Sequence, residues 1–119
     1  MQGNMHTTID QRMRECIREC QQCHDICTEM IAHCLEMGGE HAQPNHIRLL
    51  LDCGEICQTS ANFMLRASDL HNSICEDCAV VCERCAEDCE RFQDDQMMQQ
   101  CAQVCRSCAQ SCREMAQAA

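Results

Sequence analysis

The chain has 119 residues, including 16 cysteines, 9 methionines and 2 phenylalanines but no tryptophan or tyrosine, and its formal net charge is −10. This length suits one domain with a modest core, so we expect a single domain over residues 1–119. The acidic charge excludes nucleic acid and anionic membrane surfaces as main partners, because both require basic patches on the protein.

The hydropathy of the chain and its N-terminal region argue against membrane insertion and export. No run of 18 consecutive apolar residues occurs, so no membrane-spanning helix is predicted. The first 16 residues lack a basic n-region, an apolar h-region and a twin-arginine pair, so we expect no export signal. We therefore expect a cytoplasmic protein, whose thiols stay reduced.

Four long segments are predicted to be helical, at about 8–37, 44–66, 69–92 and 95–117. They are rich in Glu, Gln, Arg, Ala and Met, which favour the helix, and only the second contains a proline, at its first position. Residues that end or cap helices fill the breaks between them: Gly38, Gly39, Pro44, Ser68, Asp69, Asp94 and Asp95.

Each predicted helix carries a heptad repeat in which cysteine is the commonest residue. The first repeat runs through Ile9, Met13, Cys16, Cys20, Cys23, Cys27, Met30, Cys34 and Met37. The second runs through His46, Leu50, Cys53, Cys57, Ser60 and Met64. The third runs through His71, Cys75, Cys78, Cys82, Cys85, Cys89 and Phe92. The fourth runs through Met98, Cys101, Cys105, Cys108, Cys112 and Met115.

These repeats occupy the a and d positions of slightly supercoiled helices that pack side by side. Short connections make consecutive helices antiparallel. We therefore predict an all-α fold, an antiparallel up-down four-helix bundle with a cysteine-lined core, in which all 16 cysteines face inward.

The second helix carries one further apolar stripe, formed by Leu49, Ile56 and Phe63 at sevenfold spacing. Two interpretations stay open for this stripe. It packs against the neighbouring helix of the same bundle, or it forms the contact of a homo-oligomer, since exposed apolar stripes usually mark interfaces.

Sixteen inward thiols admit several interpretations, and two of them explain the pattern poorly. Cysteine can act as a small core hydrophobe, but Leu, Ile and Val fill such a core better. A disulfide scaffold suits the even count, but neighbouring seam residues on a helix have Cβ atoms about 5–6 Å apart. A disulfide requires about 3.8 Å, so pairing along a helix would strain it.

Zinc and iron–sulfur sites are a third interpretation, because Cys20/Cys23 and Cys82/Cys85 match the C-x2-C pattern. That spacing also follows from a heptad, and the loops and proline of a ferredoxin motif are absent. Zinc requires four converging ligands, and the second helix has only two cysteines. Complete four-helix layers could therefore number at most two, and each Zn(Cys)4 unit would bury a charge of −2.

Cu(I) is the fourth interpretation, since soft thiolates and thioethers select this ion. Two or three sulfurs suffice for each copper, and a thiolate that bridges two coppers keeps the core nearly neutral. Cysteine pairs of the form C-x3-C recur on every helix, for example Cys78/Cys82 and Cys85/Cys89. With bridging, the capacity should approach the thiol count, roughly 16, which indicates storage rather than catalysis.

The repeats "CIRECQQCHDIC", "CAVVCERCAEDC" and "CAQVCRSCAQSC" resemble those of the bacterial copper storage proteins, over a range from about His6 to Ala116. The resemblance implies a cytosolic four-helix bundle that sequesters many Cu(I) ions in its interior for copper homeostasis or detoxification. It also implies a homo-oligomer, commonly a tetramer. A copper chaperone is a candidate donor or acceptor of the copper. The alternatives that stay open are an iron–sulfur or redox protein and a metallothionein-like zinc buffer.

The two ends of the predicted bundle differ in their side chains. One end, which we call the methionine mouth, is defined by Met13, Met64, His71 and Met115, with Met5 and His6 nearby. We predict that its thioethers and imidazole pass copper to the thiols as additional metal ligands. The opposite end, the histidine mouth, collects Met37, His41, His46, Phe92, Met97 and Met98, with Phe92 as a plug.

No enzymatic motif is present: HExxH, GxSxG, a P-loop and a Glu-x-x-His pair are all absent. A disulfide-exchange enzyme needs an exposed CxxC of low pKa at a helix start, whereas these cysteines are predicted to lie mid-helix and inward. We therefore expect no catalytic activity. His24 and His33 lie beside the seams and are predicted to be surface or interhelical residues.

Overall fold

A computed structural model describes residues 9–118 of the chain. It contains four α-helices, α1 (Gln11–Met37), α2 (Pro44–Leu65), α3 (His71–Glu90) and α4 (Gln96–Gln117), and a short 3-10 helix at Gly39–Ala42. No residue between 9 and 118 belongs to a β-strand. In the same range, none of the helices combines the length and apolar character needed to cross a bilayer.

The helices form a closed ring around one core. α1 packs against α2 and α4, and α3 packs against α2 and α4. The short connections reverse the chain after each helix, so consecutive helices are antiparallel. The predicted all-α, antiparallel up-down four-helix bundle is thus confirmed.

Aspartate side chains fix the N-termini of two helices. Asp10 Oδ1 accepts a hydrogen bond from the Met13 amide at 2.8 Å and caps α1. Asp95 Oδ1 accepts from the amides of Met97 and Met98 at 3.0 and 3.3 Å and caps α4, at the second position of the predicted Asp94-Asp95 pair. Such caps satisfy amides that have no partner within the helix.

The start of α3 differs from the prediction. The helix begins at His71, two residues later than expected, and the Ser68-Asp69 pair does not cap it: Leu70 holds the N-cap position without a side-chain bond. The Ser68 amide instead donates to the Phe63 carbonyl at 2.9 Å, which is a bond of the C-terminal turn of α2. Ser68 Oγ accepts from the Leu70 amide at 3.1 Å, one residue before α3, so Ser68 belongs to the turn between the two helices rather than to the cap of α3.

Small residues beside the seams let the helices approach closely. Ala79 and Ala86 of α3 and Ala102 and Ala109 of α4 are buried with at most 2% of their surface exposed. Between α1 and α2 the corresponding position is Gly54, where an added Cβ would lie 3.3 Å from Thr28 Oγ1. Small side chains at a helix contact shorten the distance between helix axes, and this brings the opposing cysteines within reach of one another.

Candidate metal centre

The core of the bundle is made of thiols. All 16 cysteines are free and buried, and none exposes more than 1% of its surface. The heptad pattern therefore predicted the direction of every cysteine side chain correctly. Burial of so many soft donor atoms without disulfides leaves each sulfur available to a metal ion.

A continuous network of sulfur–sulfur contacts runs along the axis of the bundle. Neighbouring sulfurs in this network are 3.5–4.0 Å apart. Its members are Cys16, Cys112, Cys20, Cys108, Cys57, Cys78, Cys82, Cys53, Cys23, Cys105, Cys27 and Cys101. We call these residues the thiol network.

Most contacts of the thiol network join different helices. Of those above, only Cys78–Cys82 at 3.8 Å lies within one helix, where the two residues are four positions apart. The Cys57–Cys108 contact at 3.8 Å crosses the core diagonally from α2 to α4. The sulfurs therefore occupy the centre of the bundle, so a metal ion there would meet donors from several helices at once.

Several groups of thiols are compact enough to hold one ion, since their sulfurs lie within 4.8 Å of one another. They include Cys20/Cys78/Cys108/Cys112, Cys23/Cys53/Cys57/Cys82, Cys23/Cys27/Cys53/Cys105, Cys57/Cys78/Cys82/Cys108 and Cys16/Cys75/Cys112. These groups overlap: Cys57 and Cys23 each belong to two of them. A shared sulfur can bridge two ions, so the arrangement favours a multinuclear cluster over separate four-ligand sites.

The protonation of the thiols is strongly coupled. Hydrogen bonding with Cys105 lowers the pKa of Cys23, because a thiolate there accepts bonds from neighbouring S–H groups. Hydrogen bonding with Cys112 raises the pKa of Cys108, whose own S–H serves as a donor. Because neighbouring thiols share hydrogens in this way, a cation that binds them as thiolates must displace protons.

The remaining three cysteines of α3 lie beside the thiol network. Ser60 Oγ donates to Cys75 Sγ at 3.8 Å, at the methionine mouth. Interaction with Cys105 lowers the pKa of Cys85, and interaction with Cys101 raises the pKa of Cys89. Both of these thiols are buried, as the seam predicted.

The residues predicted to form the methionine mouth are all at least half-buried. Met13, Met64 and Met115 are buried, and His71 is half-buried at the start of α3. The His71 Nδ1 donates to the Ser68 carbonyl at 2.8 Å, so only its Nε2 atom is left to bind a metal. Met5 and His6 lie outside the described residues.

The histidine mouth contains a polar cluster of which only Cys34 belongs to the predicted ligand set. Cys34 Sγ lies 3.3 Å from His46 Nε2 and 3.5 Å from Met98 Sδ. On the other side of the imidazole, His46 Nδ1 lies 2.5 Å from Asp88 Oδ2. The sequence signal for this cluster was a histidine at a heptad seam position, where an apolar residue is usual. Burial raises the pKa of the Cys34 thiol to about 11.

Two further histidines surround the cap of α4. His33 Nε2 and His41 Nε2 donate to Asp95 Oδ2 at 2.7 and 2.9 Å, which ties α1 and the 3-10 helix to α4. Burial opposes ionisation of Asp95, but these two hydrogen bonds outweigh it and lower its pKa to about 2. His24 lies between α1 and α2, where its Nδ1 is 2.9 Å from the Gly54 carbonyl oxygen.

The fold and this centre define a four-helix bundle whose core is a connected array of free thiols. The sequence profile of the copper storage proteins matches residues 9–117. The chain belongs to the copper storage protein family. No curated protein sequence matches it.

Solved structures of similar proteins share this fold. A protein from Nitrosospira multiformis is 45% identical, covers 90% of this chain and 96% of its own, and superposes with a TM-score of 0.85. Cu(I)-bound copper storage protein 3 of Bacillus subtilis is 35% identical over 89% of this chain and 99% of its own, with a TM-score of 0.83. The copper storage protein of Streptomyces lividans, loaded with 10 copper equivalents, is 29% identical over 91% and 86% of the two chains, with a TM-score of 0.78.

Proposed function

We propose that this chain stores and sequesters many Cu(I) ions on the thiolates of its core, in copper homeostasis or detoxification. The observation that carries the proposal is the overlap of the thiol groups: Cys23 and Cys57 each belong to two compact groups. Cu(I) accepts two or three soft donors, so shared thiolates can hold many ions in one cluster. The copper-loaded Bacillus and Streptomyces proteins support this assignment.

Charge balance explains why copper suits this core. Each Cu(I) ion brings one positive charge and each cysteine loses one proton, so about one copper per thiolate leaves the core nearly neutral. A buried net charge would be costly in so apolar a space. A Zn²⁺ ion with four thiolates carries a charge of −2, and the overlapping groups would force several such units against one another.

The ligands that we assign are the 16 core cysteines together with the donors of the methionine mouth. The cysteines are Cys16, Cys20, Cys23, Cys27, Cys34, Cys53, Cys57, Cys75, Cys78, Cys82, Cys85, Cys89, Cys101, Cys105, Cys108 and Cys112. The additional ligands are Met13, Met64, His71 and Met115. Their thioether and imidazole groups bind Cu(I) more weakly than thiolates, which suits transfer of an ion inward rather than its retention.

The site supports storage rather than catalysis. Cys23, Cys57 and Cys108 expose none of their surface, so no substrate larger than an ion reaches their sulfurs in this conformation. Copper enters and leaves by exchange with a copper chaperone. We place the protein in the cytoplasm, like the cytosolic copper storage protein of Streptomyces lividans, where reducing conditions keep the thiols free.

We further propose that the chain forms a homo-oligomer, a tetramer, through the second apolar stripe of α2. Leu49, Ile56 and Phe63 are each half-buried in the single chain. Leu49 and Ile56 already pack partly against the core, so the stripe serves both the bundle and a partner chain. Association would cover the remaining apolar surface.

The metal content of protein made in cells supplied with copper, zinc and iron tests the proposed function. We expect the purified protein to contain many copper ions per chain and little zinc or iron. Visible absorption from bound iron would favour an iron–sulfur protein instead. Zinc at one or two ions per chain, with copper absent, would favour a zinc buffer and contradict storage of copper.

A further inference from the structure

The histidine mouth holds a cluster of three different donor atoms from three helices. Cys34 of α1 lies 3.3 Å from the imidazole of His46 on α2 and 3.5 Å from the thioether of Met98 on α4. Cys34 and Met98 expose none of their surface and His46 exposes 1%. The hydrogen-bonding contacts of Cys34 are thus an imidazole and a thioether, whereas the cysteines of the thiol network contact one another.

The donor atoms of this cluster converge on Cys34. Asp88 carboxylate can only accept, so the contact of 2.5 Å requires His46 Nδ1 to carry the hydrogen. The other ring nitrogen of His46, Nε2, is directed at Cys34 Sγ at 3.3 Å. Cys34 donates its S–H hydrogen to the Met98 sulfur at 3.5 Å, so a thiol, an imidazole nitrogen and a thioether sulfur meet at one point.

We infer that Cys34, His46 and Met98 form a separate Cu(I) site with mixed sulfur and nitrogen ligands, at the end of the thiolate cluster. The inference rests on the proposed function and adds ligands to it. One cation in place of the Cys34 hydrogen would satisfy all three donors together. Both contacts of Cys34 are shorter than the 4.8 Å within which the sulfurs of each compact thiol group lie, so one ion can reach the donors on either side of Cys34.

Asp88 is the positioning residue of this site. Its Oδ2 atom faces His46 Nδ1, while its Oδ1 atom accepts a hydrogen bond from Arg91 Nε at 2.8 Å, so the carboxylate is held from both sides. A histidine that binds a metal usually donates its other N–H to such a carboxylate, which fixes the tautomer and the ring orientation. Phe92 covers the imidazole, with ring centroids 4.8 Å apart, and keeps solvent away from it.

Because of its donor atoms, this site should be the last one that Cu(I) fills. Imidazole and thioether are weaker ligands for Cu(I) than thiolate, and this site offers only one thiol among its three donors. The thiol network therefore saturates first, and the mixed site takes a final ion that also leaves first.

Nitrogen NMR of the full chain tests the site directly. Reduced protein with ¹⁵N-labelled histidine is titrated anaerobically with Cu(I), and native mass spectrometry counts the bound ions. We expect the His46 Nε2 resonance to shift late in the titration, while the resonances of His24, His33 and His41 stay in place. An unshifted His46 Nε2 after saturation of the thiols would overturn the site, whereas a total of only a few ions would overturn the proposed function itself.

Conservative variants test the roles of Met98 and Asp88. Met98→Leu should weaken binding of the final ion, while Met97→Leu is the matched control, because Met97 is its exposed neighbour on the same helix. Asp88→Asn should lower the affinity for the final ion by about 10–100-fold without changing the affinity for the earlier ions. Met98→Leu protein that binds the final ion as tightly as the unmodified chain would overturn the three-donor site.

Discussion

Replacement of Ser60 by cysteine should add one copper to the store. Ser60 lies on the seam of α2, exposes none of its surface and donates a hydrogen bond of 3.8 Å to Cys75. Cys75 itself belongs to the compact group with Cys16 and Cys112. The Ser60→Cys change would thus turn a group of three thiols and a hydroxyl into a group of four thiols.

The same change should leave the bundle folded and make it slightly more stable. Burial of a hydroxyl with a poor hydrogen bond costs about 1–3 kcal/mol in mutational data, and a thiol has a smaller desolvation cost. We expect the metal-free variant to gain about 1 kcal/mol, which corresponds to a rise in Tm of about 4 °C for a domain of this size. Thermal unfolding followed by circular dichroism under reducing conditions measures this gain.

Native mass spectrometry in the presence of a chelator counts the added ion. Ser107→Cys is the matched control, because Ser107 is exposed on α4 and its thiol would face solvent. We expect one more retained ion in the Ser60→Cys protein and no change in the control. Equal counts in Ser60→Cys and the unmodified chain would show that seam thiols do not set the capacity, and would refute the reasoning.

Three further predictions concern the core, the metal-free state and the helix cap. In one variant, serine replaces all four cysteines of the compact group Cys23, Cys27, Cys53 and Cys105. Native mass spectra should show that this variant binds about four fewer copper ions. Reduced metal-free protein should be helical in circular dichroism, because neutral thiols pack as small hydrophobes, and a random-coil spectrum would contradict this. Asn is as good an N-cap as Asp, so Asp95→Asn removes chiefly the charge that accepts from His33 and His41. The pKa of Asp95 is about 2 in the folded protein and about 3.9 in the unfolded chain. The Asp95 carboxylate therefore contributes about 2 kcal/mol to the free energy of unfolding above pH 4, and this contribution is lost as the pH falls toward 2. In urea titrations the variant should be less stable than the unmodified protein at pH 7 and equal to it near pH 2, and an equal difference at both pH values would contradict the assignment.

The heptad pattern predicted most of this structure because its physical cause is simple. Cys57 lies at an a or d position of the heptad, and packing of the helices turns these positions inward whatever side chain they carry. The cap at Asp95 followed from local residue preference alone. These features depend on residues that are close together in the sequence, so they can be predicted from the sequence of one chain.

The features that the sequence did not display depend on pairs of residues far apart in the chain. The contact of His46 with Asp88 joins residues 42 positions apart, and Asp88 lies beside the seam of α3 rather than on it. The start of α3 at His71 depended on the turn that ends α2, in which the Ser68 amide donates to the Phe63 carbonyl. Neither outcome can be predicted from spacing, because each is decided by the approach of a second element.

Anaerobic titration of the reduced protein with Cu(I), in competition with a chromophoric chelator, tests the central claim most directly. If the core thiolates store copper with shared ligands, the chelator should remain copper-free until roughly 16 ions are bound per chain. Saturation at one to four ions would contradict storage, because it would show that the thiols form only a few isolated sites.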